Sequence, residues 1–179
     1  MAVIGDGVVG ACCALAASAL GYDVLLVGRH DQKLRAVRGI AAVQTANSAG
    51  ATSSLGRWAP VAIIDTVQSA NAFALYADLV PPAEGEIVFS GWIPAGSQWG
   101  VDWTHVQSRE LRCQFVSGLT RERILTTLEL MRSGQLPIEK LISVRASDQF
   151  ELTMREVASA QLSAVAVVLD WRSFASASD

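Results

Sequence analysis

GDGVVG, Gly5 to Gly10, stands behind only Met1 to Ile4 and ahead of the small-residue run ACCALAASALG, Ala11 to Gly21. Glycines spaced G-x-G-x-x-G serve one geometry, a short strand ending in a tight turn that opens directly into a helix. Gly5 permits the turn, Gly7 leaves room for an anion to approach the backbone, and Gly10 lets the helix press against the strand. Ala2 to Ile4 supplies the apolar strand and Val8 to Leu20 the helix, which Gly21 ends as a left-handed cap. The free N–H groups of the first helical turn, at Val8, Val9 and Gly10, then face a diphosphate. Glycines also punctuate strand-to-helix turns for structural reasons alone, so the motif takes its weight from the rest of the chain.

Beyond Gly21 the chain alternates strand and helix. Asp23 to Val27 reads as a β-branched apolar strand, Asp31 to Arg38 as a helix with Leu34 and Val37 on one face, and Gly39 as its stop. Ile40 to Val43 reads as a brief third strand, and QTANSAGATSSLGRW, Gln44 to Trp58, as a polar loop. Val61 to Asp65 is again a continuous apolar strand. A helix from about Ser69 to Val80 is terminated by Pro81 and Pro82, and Glu86 to Ser90 is the next strand. Repeated β-α-β units with near-continuous apolar strands imply an α/β fold: a Rossmann-type, doubly wound, mostly parallel sheet with helices on both faces.

The second half is less regular. GWIPAGSQWG, Gly91 to Gly100, has loop chemistry; Val101 to Val106 and Leu111 to Val116 read as strands around a polar turn. Leu119 to Met131 is an amphipathic helix with Thr120 as N-cap and Gly134 as stop. A strand at Leu141 to Val144, a helix at Asp148 to Ala160 and a strand at Ala164 to Asp170 complete the chain.

Composition narrows the function classes. The 179 residues are 51% hydrophobic and 17% charged, enough for an ordered domain with a sizeable core. A net charge of −3 without a local Lys/Arg cluster gives no field for nucleic acid, which points to small molecules. Cys12, Cys13 and Cys113 are an odd set without metal-site spacing, as expected of a reducing cytoplasm. The run Val8 to Leu20 is too short to span a bilayer and lacks the flanks of a signal peptide, so a membrane is not expected as a partner.

The end of the second strand bears on which dinucleotide fits. An NAD site usually carries Asp or Glu there, to accept hydrogen bonds from the ribose hydroxyls. Here the position is Gly28, followed by Arg29 and His30, with Lys33 one turn along the next helix. This removes a repelling carboxylate and adds cationic or potentially cationic donors, which suits a 2′-phosphate. NADP(H) is therefore the expected cofactor; a solvated basic turn is the plainer alternative. Thr66 and Ser90, at the ends of two later strands, complete the candidate cofactor-binding set of Gly5, Gly7, Val8, Val9, Gly10, Gly28, Arg29, His30 and Lys33.

Together VIGDGVVG, GRHDQKL, VAIIDTVQS, GEIVFSGW and LELMRSGQLPIEKLISVR resemble, in order and over nearly the whole chain, the cofactor-binding half of the medium-chain dehydrogenase/reductase family, zinc alcohol dehydrogenase type. The resemblance implies residues 1–140 as a Rossmann dinucleotide-binding domain and 141–179 as a strand-helix-strand extension, a remnant of the catalytic domain. In that family a GroES-like domain supplies the zinc ligands and much of the substrate pocket. That domain is not in this chain, as though it had been lost, trimmed or placed on another chain. SAVAVVLDW also lacks the basic residue often seen before the family's last strand. With only His30 and His105, and no ligand cluster around either, no zinc is expected. Unpaired, Ala164 to Leu169 would expose an edge that invites association. The family's dimers join sheets edge to edge through the strand corresponding to Trp103 to Val106, so a homodimer is expected; a monomer with Ala164 to Leu169 folded onto its own sheet is the alternative.

Trp92, Trp99 and Trp103 cluster beside Asp102 and His105, past a strand end where open α/β sheets place ligands. Asp102 and His105 are the candidate acid/base pair, although their odd spacing on a strand argues for a structural role instead. Asp65 stands at a strand's C-terminal end near the expected cofactor, and the family resemblance implies that it arranges the loop there. The functions in view are an NADP(H)-dependent oxidoreductase acting on a small apolar metabolite, a non-redox biosynthetic enzyme (cyclase, isomerase or dehydratase) reusing the scaffold, and a non-catalytic isolated domain.

Overall fold

A computed structural model describes residues 1–91, 100–116, 120–159 and 161–172. Its first half runs β1 (Ala2–Ile4), α1 (Val8–Ala19), β2 (Val24–Gly28), α2 (Asp31–Arg38), β3 (Val43–Asn47), α3 (Ala51–Trp58), β4 (Ala62–Asp65), α4 (Ala70–Tyr76) and β5 (Glu86–Ser90). The second half continues with α5 (Trp103–Ser108), β6 (Arg112–Val116), α6 (Arg121–Arg132), β7 (Ile142–Ala146), α7 (Phe150–Ala158) and β8 (Ala166–Asp170).

The first six strands form one parallel sheet in the order β3-β2-β1-β4-β5-β6. Alternation along each strand divides the core. Ala2, Ile4, Leu25, Val27, Ile63, Ile87 and Phe89 point to the face covered by α3, α4 and α5, whereas Val3, Val24 and Leu26 point to the face covered by α1 and α2. Burial on both faces is why the central strands read as unbroken apolar runs. The chain leaves β1 on one side toward β2 and returns to β4 on the other, and this reversal opens a crevice at the strands' C-terminal ends.

Four expectations are corrected. The third strand lies at Val43–Asn47 rather than Ile40 to Val43, because the unwinding end of α2 uses Ile40 and Ala41, whose N–H groups both donate to the Val37 carbonyl. The stretch expected as a loop, Gln44 to Trp58, holds most of β3, a 3-10 turn at Ser48–Gly50 and α3. As the sheet's outer strand, β3 needs little apolar character. In α3, Ala51 and Leu55 enter the core and Trp58 Nε1 donates to the Met1 carbonyl at 2.9 Å, so tertiary contacts override weak local propensity.

Third, the strand expected at Val101 to Val106 is replaced by α5. Asp102 caps it, accepting from the His105 N–H at 3.1 Å, and Val106 faces the core. The edge expected to join two subunits is therefore not a strand; β6 occupies the sheet's edge. Fourth, β8 pairs in parallel with β7 as a separate two-stranded sheet, so it is neither left unpaired nor added to the main sheet. Thr120 caps α6 as expected, with its side chain accepting from the Arg123 N–H at 3.3 Å. Leu136, Leu141 and Val165 join the core under α1 and α2, which ties the C-terminal segment to the main body. Trp92, Trp99 and most of the expected loop Gly91 to Gly100 lie outside the described residues.

Candidate functional site

The crevice at the sheet reversal is a cavity of about 900 Å³, floored by the glycine turn. Gly5 has φ +117°, and a Cβ there would collide with the Thr66 hydroxyl. Thr66 Oγ1 donates to the Ile4 carbonyl at 2.8 Å, so the turn after β4 locks the turn after β1. A Cβ on Gly10 would overlap the Gly5 carbonyl, which shows how closely α1 is drawn onto the turn. Gly7 differs: a Cβ there would meet nothing within 4 Å, and the space it leaves belongs to the cavity.

Gly7 caps α1 without a side-chain hydrogen bond, and no acidic residue lies in the first turn. The N–H groups and positive dipole end of this twelve-residue helix are thus turned toward the cavity. Val8 and Val9 are 48% and 46% exposed at the same place, apolar walls around the anion-attracting turn.

Of the cofactor-binding residues expected from sequence, Gly5, Gly7, Val8, Val9, Gly10, Gly28, Arg29, His30, Lys33 and Thr66 all line this one cavity. Ser90 does not line it; its carbonyl accepts from Gln68 Nε2 at 3.1 Å and so braces the loop after β4. Ser48, Val67, Ser69, Asn71, Ala72 and Leu75 also line the cavity without having been expected. Ser48 escaped notice because its segment reads as a loop, and the others because they belong to the turn and helix after β4.

Asp6 was missed as well. Its carboxylate accepts from the N–H groups of Arg29 at 2.7 Å and His30 at 2.6 Å, and His30 Nδ1 lies 3.0 Å away from Oδ1. Burial alone would push the Asp6 carboxyl up, but the His30 and Arg29 hydrogen bonds and the His30 charge outweigh it and hold the group below its ordinary range. The available signal was an acid inside a glycine motif that is usually uncharged.

Asp65 organises the adjoining loop, as expected. Fully buried, it accepts from the Val67 and Gln68 N–H groups at 2.8 Å each, and from the Tyr76 hydroxyl at 2.7 Å. Asp102 and His105 face elsewhere. Asp102 caps α5, and His105 Nε2 lies 3.2 Å from the Ala77 carbonyl and 3.5 Å from the Asp78 carboxylate. Neither lines the cavity. Trp103 packs with Phe89 and Phe115. Among the described residues no three His, Cys, Asp or Glu side chains converge, and none of the helices is long and apolar enough to cross a membrane. Cys12, Cys13 and Cys113 are free thiols.

Sheet order, glycine turn and crevice together define a Rossmann-type α/β domain. Solved dehydrogenases share this fold. The chain aligns with 2R,3R-butanediol dehydrogenase from Bacillus subtilis at a TM-score of 0.76 and 15% identity, over 94% of this chain and 49% of that one. A short chain alcohol dehydrogenase from E. coli CFT073, solved with its cofactor NADH, aligns at 0.70 and 18% identity over 88% and 48%. A putative zinc-binding dehydrogenase from Sinorhizobium meliloti 1021, bound to NADP, aligns at 0.63 and 23% identity over 81% and 44%. No protein-family profile and no curated protein matches the sequence. The chain spans about half the length of these structural neighbours, and the fold implied by the zinc alcohol dehydrogenase resemblance is the one found.

Proposed function

We propose that the chain binds NADP(H) in the crevice and serves as the cofactor-binding part of an oxidoreductase acting on a small, largely apolar metabolite, with no zinc held by its own residues. The observation that carries this reading is the uncapped start of α1 beside the open space at Gly7. The residues fit the group: the N–H groups of Val8, Val9 and Gly10 would hold its diphosphate, and Arg29 and Lys33 would hold a 2′-phosphate. The nicotinamide, when bound, supplies the hydride acceptor or donor. Val67, Ala72 and Leu75 give the same cavity an apolar lining, and the Asp65 and Tyr76 contacts keep the loop bearing Val67 in place. One neighbour is described as bound to NADP and another as complexed with NADH, which supports a nicotinamide cofactor of either kind.

Isothermal titration with NADP⁺ and NAD⁺ tests the assignment. A charge-assisted hydrogen bond is worth roughly 1.5–3 kcal/mol, so Arg29→Ala weakens NADP⁺ binding by about ten- to a hundredfold and leaves NAD⁺ nearly unchanged. Equal losses for both refute the role given to Arg29. The proposal extends to a cytoplasmic homodimer joined through the edge strand β6, where Phe115 is 55% exposed. Light scattering at micromolar concentration then gives twice the 19.0 kDa chain mass, and the monomer mass refutes the dimer.

A further inference from the structure

The sequence places no acid at the end of β2, yet the structure brings one there. Asp6 leaves the glycine turn after β1, crosses to the β2–α2 turn and lies against Gly28 so closely that a Cβ on residue 28 would overlap its Cβ and carboxylate. Gly28 thus makes room for an acid arriving from the neighbouring strand. Asp6 is only 7% exposed, lines the cavity beside Arg29 and Lys33, and holds both the backbone and the ring of His30. The His30 side chain is itself 40% exposed.

We propose that Asp6 and His30 form the selector for the ribose substituent of the dinucleotide, and that the charge on His30 sets the preference. This rests on the crevice being the cofactor site. The charged groups around His30 are Asp6, which contacts it from the glycine turn, its chain neighbours Arg29 and Asp31, and Lys33 of α2, which lines the same cavity; from β3 the neutral Asn47 donates to Asp31 Oδ1 at 2.7 Å. With His30 neutral, two cations stand against two carboxylates and the turn carries no net charge. Protonation leaves one positive charge in excess and offsets Asp6, the acid beside Gly28. A 2′-phosphate gains from this change and a 2′-hydroxyl does not. Histidine is the side chain whose ordinary charge change falls between pH 5 and 8.

The test measures the NADP⁺-to-NAD⁺ affinity ratio by titration calorimetry at about pH 5.5 and about pH 8.5, below and above the ordinary histidine midpoint of about 6.5. Wild-type protein, His30→Asn and Asp6→Asn are compared. The 2′-phosphate of the free dinucleotide titrates near pH 6 whichever protein it meets, so differences between the three slopes report the charges around the bound phosphate. In the wild type the ratio falls on raising the pH, by about fivefold more than in His30→Asn, the scale of one charge change beside a partly exposed anion. Asp6→Asn raises the ratio at the higher pH by about the same factor. His30→Asn retains the Asp6 bonds to backbone, so it carries the test even if Asp6→Asn fails to fold. Equal slopes in wild type and His30→Asn, with both dinucleotides bound, overturn the selector alone. Failure of the wild type to bind either dinucleotide at either pH overturns the cofactor site and the selector with it.

Discussion

The three glycines of the motif have different tasks, and substituting two of them separates the fold from the site. At Gly7 the backbone has φ −74° and ψ −178°, angles an alanine adopts freely, and its Cβ would meet no protein atom within 4 Å. The remaining folding cost is alanine's weakness as an N-cap, about 1 kcal/mol, or roughly 2–4 °C in Tm for a chain of this size. For a bound diphosphate the consequence is larger, because the methyl fills the approach to the helix N–H groups. Loss of one charge-assisted hydrogen bond costs roughly 1.5–3 kcal/mol, about ten- to a hundredfold in Kd. At Gly10 the order reverses. The added Cβ would overlap the Gly5 carbonyl, so α1 must move off the turn. Overpacking of this kind costs about 1–3 kcal/mol, here at the upper end because the obstacle is backbone, so Gly10→Ala melts roughly 6–10 °C lower. Thermal melts and calorimetric titration with NADP⁺ read both quantities. If Gly7→Ala binds NADP⁺ as tightly as wild type, the diphosphate does not approach at Gly7 and the cofactor reading is wrong.

Two predictions concern buried polar groups. Tyr76→Phe leaves one Asp65 oxygen without its hydroxyl donor in a fully buried site, and denaturant titration should show a loss of about 1–3 kcal/mol. Burial, then the Asp65 charge and hydrogen bond, push the Tyr76 phenol far up, so the stability it contributes is complete below the ordinary tyrosine pKa of about 10 and declines above it. Burial raises the three thiols too, so the difference between wild type and Tyr76→Phe above about pH 10 isolates the tyrosine; a constant difference there refutes the argument. Asp6 has the opposite sign. Its carboxyl is held below the usual range, so its contribution is complete above the ordinary aspartate pKa of about 3.9 and is lost as pH falls through the folded value. Melting curves below about pH 4 should fall less steeply for Asp6→Asn than for wild type, and parallel curves would rule out a contribution from the charge.

Much of the architecture was legible because its signals are local. The run Ala2 to Leu26 carries its strand, turn, helix and cap within a few residues of one another, and the apolar runs at Ile63 and Ile87 mark strands buried on both faces. Ten of the eleven expected cofactor-site residues meet in one cavity, since the motif and the strand ends fix the place where a parallel sheet reverses. Ser90 fell short because a strand end shows that a residue is near the crevice without showing which way its backbone is engaged.

The elements misread from sequence are those made by distant contacts. Val43–Asn47 is a strand because Val24–Gly28 lies beside it, and Ala51–Trp58 is helical because Leu55 and Trp58 find the core and the Met1 carbonyl across 57 positions of chain. Trp103 to Val106 carries strand-forming residues but coils into a helix on the Asp102 cap. By itself the sequence determined a parallel α/β sheet with a tight glycine turn at its first crossover, since periodicity and glycine spacing act within a dozen residues. Only the tertiary structure decided that Asp6, 24 positions before His30, supplies the acid beside Gly28, because a charge's partner is set by packing across strands rather than by order along the chain.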